Sequence, residues 1–250
     1  MSAAPQVVPA WWRTFRPAPG APVRLACLPH AGGSASFYHP LARALAPGIE
    51  VLAAQYPGRQ DRYREPLVTS LTELARQCFE ALRPSIDRPL ILFGHSMGAL
   101  LAYEIALLMQ DNGIAPPVRL VVSGRRAPSR YRDDQFHRLP PAGLVAQVRA
   151  LSGTDASVLS DPETLRLILP AVRGDYRAVE TYRHQPGRVV HAPVTVLTGT
   201  EDPMVTAEEA SVWERHTDGS AEVRSMPGGH FFVADHFDEI AGLLRTIAAP

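Results

Sequence analysis

The chain has 250 residues, of which 46% are hydrophobic and 20% are charged, a composition typical of one globular domain rather than a disordered chain. Its 25 basic and 25 acidic residues cancel, so there is no electrostatic reason to expect a nucleic-acid partner. Every basic residue is an arginine. The absence of lysine excludes Schiff-base chemistry, a Walker A phosphate site and a Ser–Lys dyad.

The sequence carries no pattern of a membrane span or a secretion signal. No apolar run approaches the roughly 18–20 residues that cross a bilayer, and residues 1–20 lack the continuous apolar core of a signal peptide. We therefore expect a cytoplasmic protein that does not act at a membrane. Cys27 and Cys78 fall in a predicted strand and a predicted helix, so we expect both to be reduced core residues.

Strand and helix patterns alternate along most of the chain. Strand patterns lie at residues 23–28, 50–54, 90–93, 119–123, 194–198 and 222–225, and helical periodicity lies at residues 71–82, 99–109, 207–216 and 235–247. Because the strand patterns are apolar on both faces, they favour a parallel sheet with helices on both sides. The order predicts an α/β fold with a mostly parallel, doubly wound sheet, in a single domain of residues 1–250.

One long connection interrupts this alternation between the strands predicted at 119–123 and 194–198. It contains no strand pattern and is far too long for an ordinary connection. Helical patterns lie within it at 142–151, 162–169 and 175–182. They predict a helical lid inserted at about residues 133–188, over the carboxyl edge of the sheet. Its apolar residues would either line a substrate pocket or hold the lid helices together; these are Leu144, Val148, Leu151, Leu165 and Leu169.

The strongest chemical signal is the motif Gly94-His95-Ser96-Met97-Gly98, which follows one predicted strand and leads into a predicted helix. In that position a G-x-S-x-G pattern forms a sharp turn that exposes the serine hydroxyl above the sheet of an α/β-hydrolase. Ser96 is therefore the candidate nucleophile. His95 flanks it, and we expect a packing or hydrogen-bonding role for that side chain.

A serine hydroxyl needs a base to accept its proton, and the base needs an acid to orient it. In this fold the order along the chain is serine, acid, histidine. Asp202 follows the strand predicted at 194–198 and is the candidate acid, with the neighbouring Glu201 as the alternative. His230 follows the last predicted strand in a glycine turn and is the candidate base. His236 lies six residues further on, and we expect it to be structural.

The tetrahedral intermediate of acyl transfer needs two backbone N–H donors aimed at its oxyanion. One is expected from Met97, the residue after the nucleophile. The other is expected from Ala31, in the small-residue loop Pro29-His30-Ala31-Gly32-Gly33-Ser34-Ala35 that follows the first predicted strand. No cluster of histidine, cysteine and carboxylate residues has the spacing of a metal site.

Nearly the whole sequence resembles the type II thioesterases that accompany modular polyketide and nonribosomal peptide synthases. The motifs that carry the resemblance are Trp12-Arg13, Leu28-Pro29-His30-Ala31-Gly32-Gly33-Ser34-Ala35, Tyr56-Pro57-Gly58-Arg59, Gly94-His95-Ser96-Met97-Gly98-Ala99, Ser123-Gly124-Arg125-Arg126-Ala127-Pro128 and Gly228-Gly229-His230-Phe231-Phe232. The resemblance assigns catalysis to Ser96, Asp202 and His230, and the oxyanion donors to Ala31 and Met97. It implies hydrolysis of acyl groups on the phosphopantetheine arms of acyl or peptidyl carrier domains, through a Ser96 acyl-enzyme and without a metal or redox cofactor. The implied role is to clear stalled or mis-loaded chains.

Four arginines, Arg125, Arg126, Arg130 and Arg132, follow the strand predicted at 119–123, at the edge where the active site would open. They are candidates for steering an acidic carrier domain and holding the phosphate of its arm. The alternative is that they pair with Asp133, Asp134 or Asp175 and fix the base of the lid. Two other functions stay open at this stage: a carboxylesterase acting on small free esters, and a catalytically inactive α/β-hydrolase that serves as a receptor.

Overall fold

A seven-stranded sheet forms the centre of the molecule in the computed structural model, which describes residues 11–151 and 161–249. Its strands are β1 (Trp12–Arg13), β2 (Val23–Leu28), β3 (Ile49–Ala54), β4 (Leu90–His95), β5 (Arg119–Ser123), β6 (Val194–Gly199) and β7 (Ala221–Met226), in the order β1-β3-β2-β4-β5-β6-β7. All neighbours pair in parallel except β1, which is antiparallel to β3. The predicted doubly wound parallel sheet is confirmed.

Eight α-helices surround the sheet in the described ranges. They are α1 (His39–Leu45), α2 (Leu71–Leu82), α3 (Met97–Asp111), α4 (Pro141–Ala150), α5 (Pro162–Thr181), α6 (Ala207–Ser211), α7 (Phe232–Asp235) and α8 (Phe237–Ala248). The helices differ from the sequence predictions in four places. Helix α1 was missed, and the segment predicted as one helix at 235–247 is split at His236. The segment predicted as one helix at 207–216 is α6 followed by a 3-10 helix, and α5 is one continuous helix where two were predicted.

The alternating side chains of the strands divide the core into two layers. In β2, Leu25 and Cys27 face the layer formed with α1 and α8, whereas Ala26 and Leu28 face the layer formed with α2 and α3. Cys78 of α2 belongs to the second layer, so the two cysteines lie on opposite faces of the sheet. Both are buried and free, as the sequence predicted.

The connection between β5 and β6 contains α4 and α5, and Asp175 of α5 contacts the loops that follow β2 and β3. Asp161 caps α5: its carboxylate accepts hydrogen bonds from the N–H groups of Glu163 and Thr164. None of the helices in the described ranges combines the length and apolar character needed to cross a bilayer.

Candidate active site

The predicted nucleophile lies at a strained turn between β4 and α3. Ser96 has φ 54° and ψ −113°, a conformation that L-residues rarely adopt and that costs about 1–3 kcal/mol. Two glycines make the turn possible. A Cβ atom on Gly94 would lie 2.0 Å from the carbonyl oxygen of Gly98, and one on Gly98 would lie 1.9 Å from that of Leu28. Only glycine therefore lets the turn pack against itself and against β2.

The structure brings Ser96, His230 and Asp202 together although they are far apart in sequence. The Oγ atom of Ser96 lies 3.0 Å from Nε2 of His230, and Nδ1 of His230 lies 2.9 Å and 3.1 Å from the carboxylate oxygens of Asp202. His230 and Asp202 are buried, so water competes little for these hydrogen bonds. With its Nδ1 proton held by the carboxylate, the imidazole presents Nε2 to the serine as an acceptor.

Two loops that touch at their glycines position the acid and the base. A Cβ atom on Gly199, at the end of β6, would lie 2.4 Å from the carbonyl oxygen of Gly229, so glycine is required where the loops cross. The Oδ1 atom of Asp202 also accepts the N–H of Met204 at 2.8 Å, which fixes the carboxylate. The alternative acid, Glu201, is exposed and makes no hydrogen bond to His230. His236 instead contacts the carbonyl oxygen of Pro227 through Nε2, at 3.1 Å.

The loop after β2 forms a tight turn that orients the Ala31 amide. Gly33 N–H donates to the carbonyl oxygen of His30 at 2.9 Å, and Gly32 has φ +77°, the features of a type II turn. The His30 carbonyl and the Ala31 N–H belong to one trans peptide and point in opposite directions. Because the carbonyl points into the turn, the Ala31 N–H points out of it. Within the described ranges, no acceptor engages this N–H or that of Met97.

A buried ion pair that the sequence analysis missed holds this turn from behind. Arg59, in the loop after β3, donates to both carboxylate oxygens of Asp175 in α5, at 2.6 Å and 2.9 Å. The same carboxylate accepts Gly32 N–H at 2.7 Å, and Arg59 also donates to the Gly33 carbonyl at 3.1 Å. The position of Arg59 in the motif Tyr56-Pro57-Gly58-Arg59 was a signal, but it gave no indication of the partner.

Three imidazole rings pack together beneath the site. The ring centroids of His95 and His230 are 5.1 Å apart, and those of His30 and His95 are 6.0 Å apart. Burial, with a smaller contribution from His230, lowers the pKa of His30 to about 3 and holds the pKa of His95 well below its usual range. His95 and His30 are therefore neutral at physiological pH. The predicted packing and hydrogen-bonding role of His95 agrees with its contact to Ser123 Oγ at 3.1 Å.

Ser96, His230, Ala31 and Met97 line one narrow cavity of about 30 Å³, room for roughly two water molecules. Its remaining walls come from His30 and Phe231, from Arg125 and Met204 in the loops after β5 and β6, and from three residues of the insertion, Leu151, Tyr176 and Val179. Of the five apolar insertion residues named from the sequence, Leu151 alone lines this cavity. Leu144 is fully buried and does not line it. A wider groove of about 500 Å³ runs from the turn at Gly32 along the first half of α5.

The four arginines after β5 differ in their surroundings. Arg126 is buried and pairs with Asp134 at 3.0 Å, and Arg132 pairs with Glu209 at 2.5 Å, so the acid-pairing alternative describes these two, although Glu209 was not among the partners considered. Arg130 is exposed, and its side chain makes no ion pair with a described residue. Arg125 lines the cavity of Ser96. All four also line an adjacent crevice together with Arg183.

The arrangement has the parts of a nucleophilic acyl transfer site. A hydroxyl lies against a base, the base lies against a carboxylate, and two N–H groups face the same small cavity. In the described part of the chain, no group of three or more histidine, cysteine or carboxylate side chains is placed to hold a metal ion. A serine on a strained strand-to-helix turn, in a parallel sheet of this order, defines the α/β-hydrolase class.

Comparison with known proteins narrows this class. Residues 23–248 match the family described as the Thioesterase domain. The chain is 50% identical over 230 residues to a probable cadicidin biosynthesis thioesterase of Streptomyces griseus, covering 92% of this chain and 63% of that protein. It is 46% identical over 246 residues to the thioesterase PikA5 of Streptomyces venezuelae, covering 96% of this chain and 88% of that protein.

A solved structure agrees with these relatives. The type II thioesterase BorB from the borrelidin biosynthetic cluster superimposes with a TM-score of 0.90 at 50% identity, covering 96% of this chain and 98% of that chain. The chain belongs to the thioesterase family, and it is a hydrolase that acts on thioesters.

Proposed function

We propose that this thioesterase removes acyl groups from the phosphopantetheine arms of acyl or peptidyl carrier domains, and so clears stalled or mis-loaded chains from polyketide or nonribosomal peptide synthases. The observation that carries the proposal is the hydrogen-bonded series Ser96–His230–Asp202, found in a chain whose relatives are thioesterases of biosynthetic pathways. The series identifies Ser96 as the nucleophile, and the similarity to these relatives indicates the class of substrate.

The reaction proceeds in two acyl transfers. His230 Nε2 takes the proton from Ser96 Oγ as that oxygen attacks the thioester carbon, and the N–H groups of Ala31 and Met97 donate to the resulting oxyanion. Asp202 stabilises the imidazolium that forms. The protonated His230 then gives its proton to the departing thiol, which leaves an ester on Ser96. A water molecule, deprotonated by His230, then attacks this ester, and His230 returns the proton to Ser96 Oγ as the ester bond breaks and the acid is released.

Residues 133–188 act as a lid over this chemistry in our proposal. The described part of α5 packs directly on the turn that carries Ala31: a Cβ atom on Gly32 would lie 2.7 Å from Cγ2 of Val172. A cavity of about 30 Å³ is too small for an acyl chain joined to pantetheine. Movement of the lid relative to the sheet is therefore part of substrate entry.

Carrier docking is proposed at the crevice lined by Arg125, Arg126, Arg130, Arg132 and Arg183. Arg130 is the most suitable of the four predicted arginines to meet an acidic carrier, because it is exposed and has no ion pair with a described residue. Arg132 is partly exposed, but its guanidinium is already held by Glu209. An exposed charge at the entrance affects encounter more than chemistry.

The function is tested by comparing acyl thioesters on a purified carrier domain with the same acyl groups as free oxygen esters. We expect kcat/KM to be at least tenfold higher for the carrier thioester, and a fluorophosphonate probe to label wild type but not Ser96→Ala. A preference for free oxygen esters would favour the carboxylesterase alternative. Absence of labelling and of turnover would favour an inactive receptor.

Docking is tested separately with Arg130→Glu. We expect a higher KM and a weaker salt dependence with the carrier-bound substrate, and unchanged kinetics with a small soluble thioester. Arg43→Glu, an exposed arginine on α1 outside the crevice, is the matched control. An equal effect of Arg130→Glu on both substrates would contradict a docking role.

A further inference from the structure

One polar side chain of the insertion lines the catalytic cavity without a hydrogen-bond partner. Three described insertion residues contribute to the cavity wall, and among Leu151, Tyr176 and Val179 only the tyrosine has a polar side-chain group. The Tyr176 hydroxyl makes no hydrogen bond with any described residue, and its oxygen is not enclosed by protein atoms. This oxygen is therefore free to bind a molecule in the cavity.

The neighbours of Tyr176 hold its ring in place. The ring of Phe136 packs edge-on against it, with the centroids 5.6 Å apart and the planes at 77°. The preceding residue, Asp175, is fixed by its two hydrogen bonds from Arg59. Burial, with a smaller contribution from the negative charge of Glu180, raises the pKa of Tyr176 to about 12. The hydroxyl is therefore neutral at physiological pH, and it can both donate and accept hydrogen bonds.

Hydrolysis of the acyl-enzyme needs a group that orients the attacking water. At that stage Ser96 Oγ is esterified, and the N–H groups of Ala31 and Met97 are directed at the ester carbonyl oxygen. The water molecule gives one hydrogen to His230 Nε2 and turns a lone pair towards the ester carbon. Its second hydrogen needs an acceptor, because a water molecule held inside a protein typically makes about three hydrogen bonds.

We propose that Tyr176 positions the hydrolytic water: its hydroxyl oxygen accepts the second hydrogen of the water molecule whose first hydrogen points at His230 Nε2. The inference rests on the proposed function, because it concerns the step in which the Ser96 ester is hydrolysed. The cavity of about 30 Å³ holds roughly two water molecules, so a water at His230 is close to the other walls. Tyr176 itself neither gains nor loses a proton. The proton passes from the water to His230, and then to Ser96 Oγ when the ester bond breaks.

The other polar side chains of the cavity wall are less suitable for this role. Arg125 has only donor groups, so it cannot accept a hydrogen from water. His30 is a neutral ring, but it packs edge-on against Phe37 and Phe231, with centroids 4.8 Å and 4.7 Å away, in the aromatic layer beneath the site. Tyr176 combines acceptor lone pairs with an oxygen that is open to the cavity.

Methanol tests the proposal, because it has the O–H group that His230 deprotonates but no second O–H group. Wild type and Tyr176→Phe are given propionyl-pantetheine in buffer that contains a fixed fraction of methanol. The propionyl ester of Ser96 then partitions between propionic acid and methyl propionate. We expect Tyr176→Phe to lower the ratio of acid to methyl ester by about 3- to 10-fold, the effect of losing one neutral hydrogen bond. Because the ratio is set after acylation, slower acylation or partial unfolding does not change it.

Rapid-mixing kinetics give a second readout. The thiol is released before the ester is hydrolysed, so kcat/KM for propionyl-pantetheine should stay within about threefold of wild type in Tyr176→Phe. Steady-state kcat without methanol should fall, and a burst of released thiol should precede the steady state. The propionyl ester of Ser96 should accumulate in intact-protein mass spectra of this variant. A fall in kcat/KM as large as the fall in kcat, without a burst, would contradict a role in deacylation.

Two further variants control the experiment. Tyr63→Phe removes a hydroxyl from an exposed tyrosine that does not line the catalytic cavity, and it should leave the product ratio and kcat unchanged. An unchanged product ratio in Tyr176→Phe would overturn the proposal. So would a lower ratio in His30→Leu but not in Tyr176→Phe, because that result would assign the water to the imidazole.

Failure of this inference is separable from failure of the proposed function. In the first case wild type and Tyr176→Phe divide the propionyl group alike between water and methanol, and only Ser96→Ala is inactive. In the second case no thioester is hydrolysed in a Ser96-dependent way.

Discussion

The ion pair between Arg59 and Asp175 joins three parts of the molecule, so its removal should affect stability and catalysis separately. Asp175 is 1% exposed and Arg59 is 8% exposed. Burial acts to lower the pKa of Arg59, but the adjacent Asp175 carboxylate outweighs it and raises that pKa. Asp175→Ala removes the acceptor for both guanidinium nitrogens and for the Gly32 N–H, and it leaves the charge of Arg59 buried.

The expected cost of Asp175→Ala is about 3–5 kcal/mol of unfolding free energy, the range for breaking one side of a buried pair. That is a large share of the roughly 5–15 kcal/mol of unfolding free energy that is typical of a domain, so the double variant described next is needed as a folded comparison. The double variant Arg59→Met/Asp175→Leu removes both charges, and it should recover most of that stability. It should not recover activity, because nothing then holds the Gly32 amide and the Gly33 carbonyl.

Urea unfolding and steady-state kinetics on a soluble thioester measure the two effects. For the double variant we expect kcat to fall by roughly 10–100-fold, less than the loss of a whole oxyanion donor, with KM little changed. Arg76→Ala breaks an exposed pair with Glu73 and is the control, with an expected cost of about 0–1 kcal/mol. If Asp175→Ala unfolds like this control, or if the double variant keeps wild-type kcat, the positioning argument is refuted.

Two other predictions concern the imidazoles and the carboxylates. His230→Ala should lower kcat by roughly 10⁴–10⁶-fold and Asp202→Asn by somewhat less, whereas Glu201→Ala should leave kcat unchanged; the reverse order for the two acids, in steady-state assays, would show that the acid was misassigned. Because the pKa of His30 falls from 6.5 to about 3 on folding, the unfolded chain binds an extra proton between these values. Stability should therefore be complete above about pH 6.5 and decline below it, by up to about 1.4 kcal/mol per pH unit for this group. His30→Leu should flatten the pH dependence of urea unfolding, and an unchanged slope would contradict the buried neutral state.

The sequence was sufficient for the parts of the fold that rest on local patterns. Strands β2 to β6 are buried, largely apolar runs, whereas β7 at the edge of the sheet is mostly exposed. All six were predicted from the sequence. Strand β1 was missed because Trp12–Arg13 is only two residues long, too short for any periodicity. It forms through its antiparallel pairing of Trp12 with Ala54, a tertiary contact.

The candidate site also has residues that local sequence patterns predict and residues that only tertiary contacts bring together. Ser96, Asp202 and His230 could be named because each lies in a distinctive turn at the end of a strand, and the strand order then brings the turns together. The pair of Arg59 and Asp175 could not be named, since 116 residues separate its members and each lies in an unremarkable local pattern. The arginines after β5 were grouped by sequence proximity, and the structure gives them different partners because the loop turns between them.

Helix α5 is the case in which a sequence rule was overridden, and it suggests how the proposed lid would move. Pro170 lacks an N–H group, and a proline in this position normally ends or kinks a helix. The sequence patterns predicted two helices here, at 162–169 and 175–182. The helix continues because the residues after Pro170 are anchored: Ala171, Val172 and Asp175 are buried, and Asp175 is held by Arg59. The half before Pro170 is largely exposed, with Leu167 65% exposed.

The missing hydrogen bond lies at the boundary between these halves, so we expect the first half of α5 to move about Pro170 when substrate enters. Pro170→Ala restores the N–H and should stiffen the helix. Hydrogen exchange should then slow at residues 162–170 but not at 171–181, and kcat for long acyl chains should fall several-fold while that for acetyl changes little. Arg166→Ala, an exposed change one turn earlier, is the control. Unchanged exchange in Pro170→Ala, or an equal loss of rate on acetyl and long chains, would mean that the lid opens elsewhere.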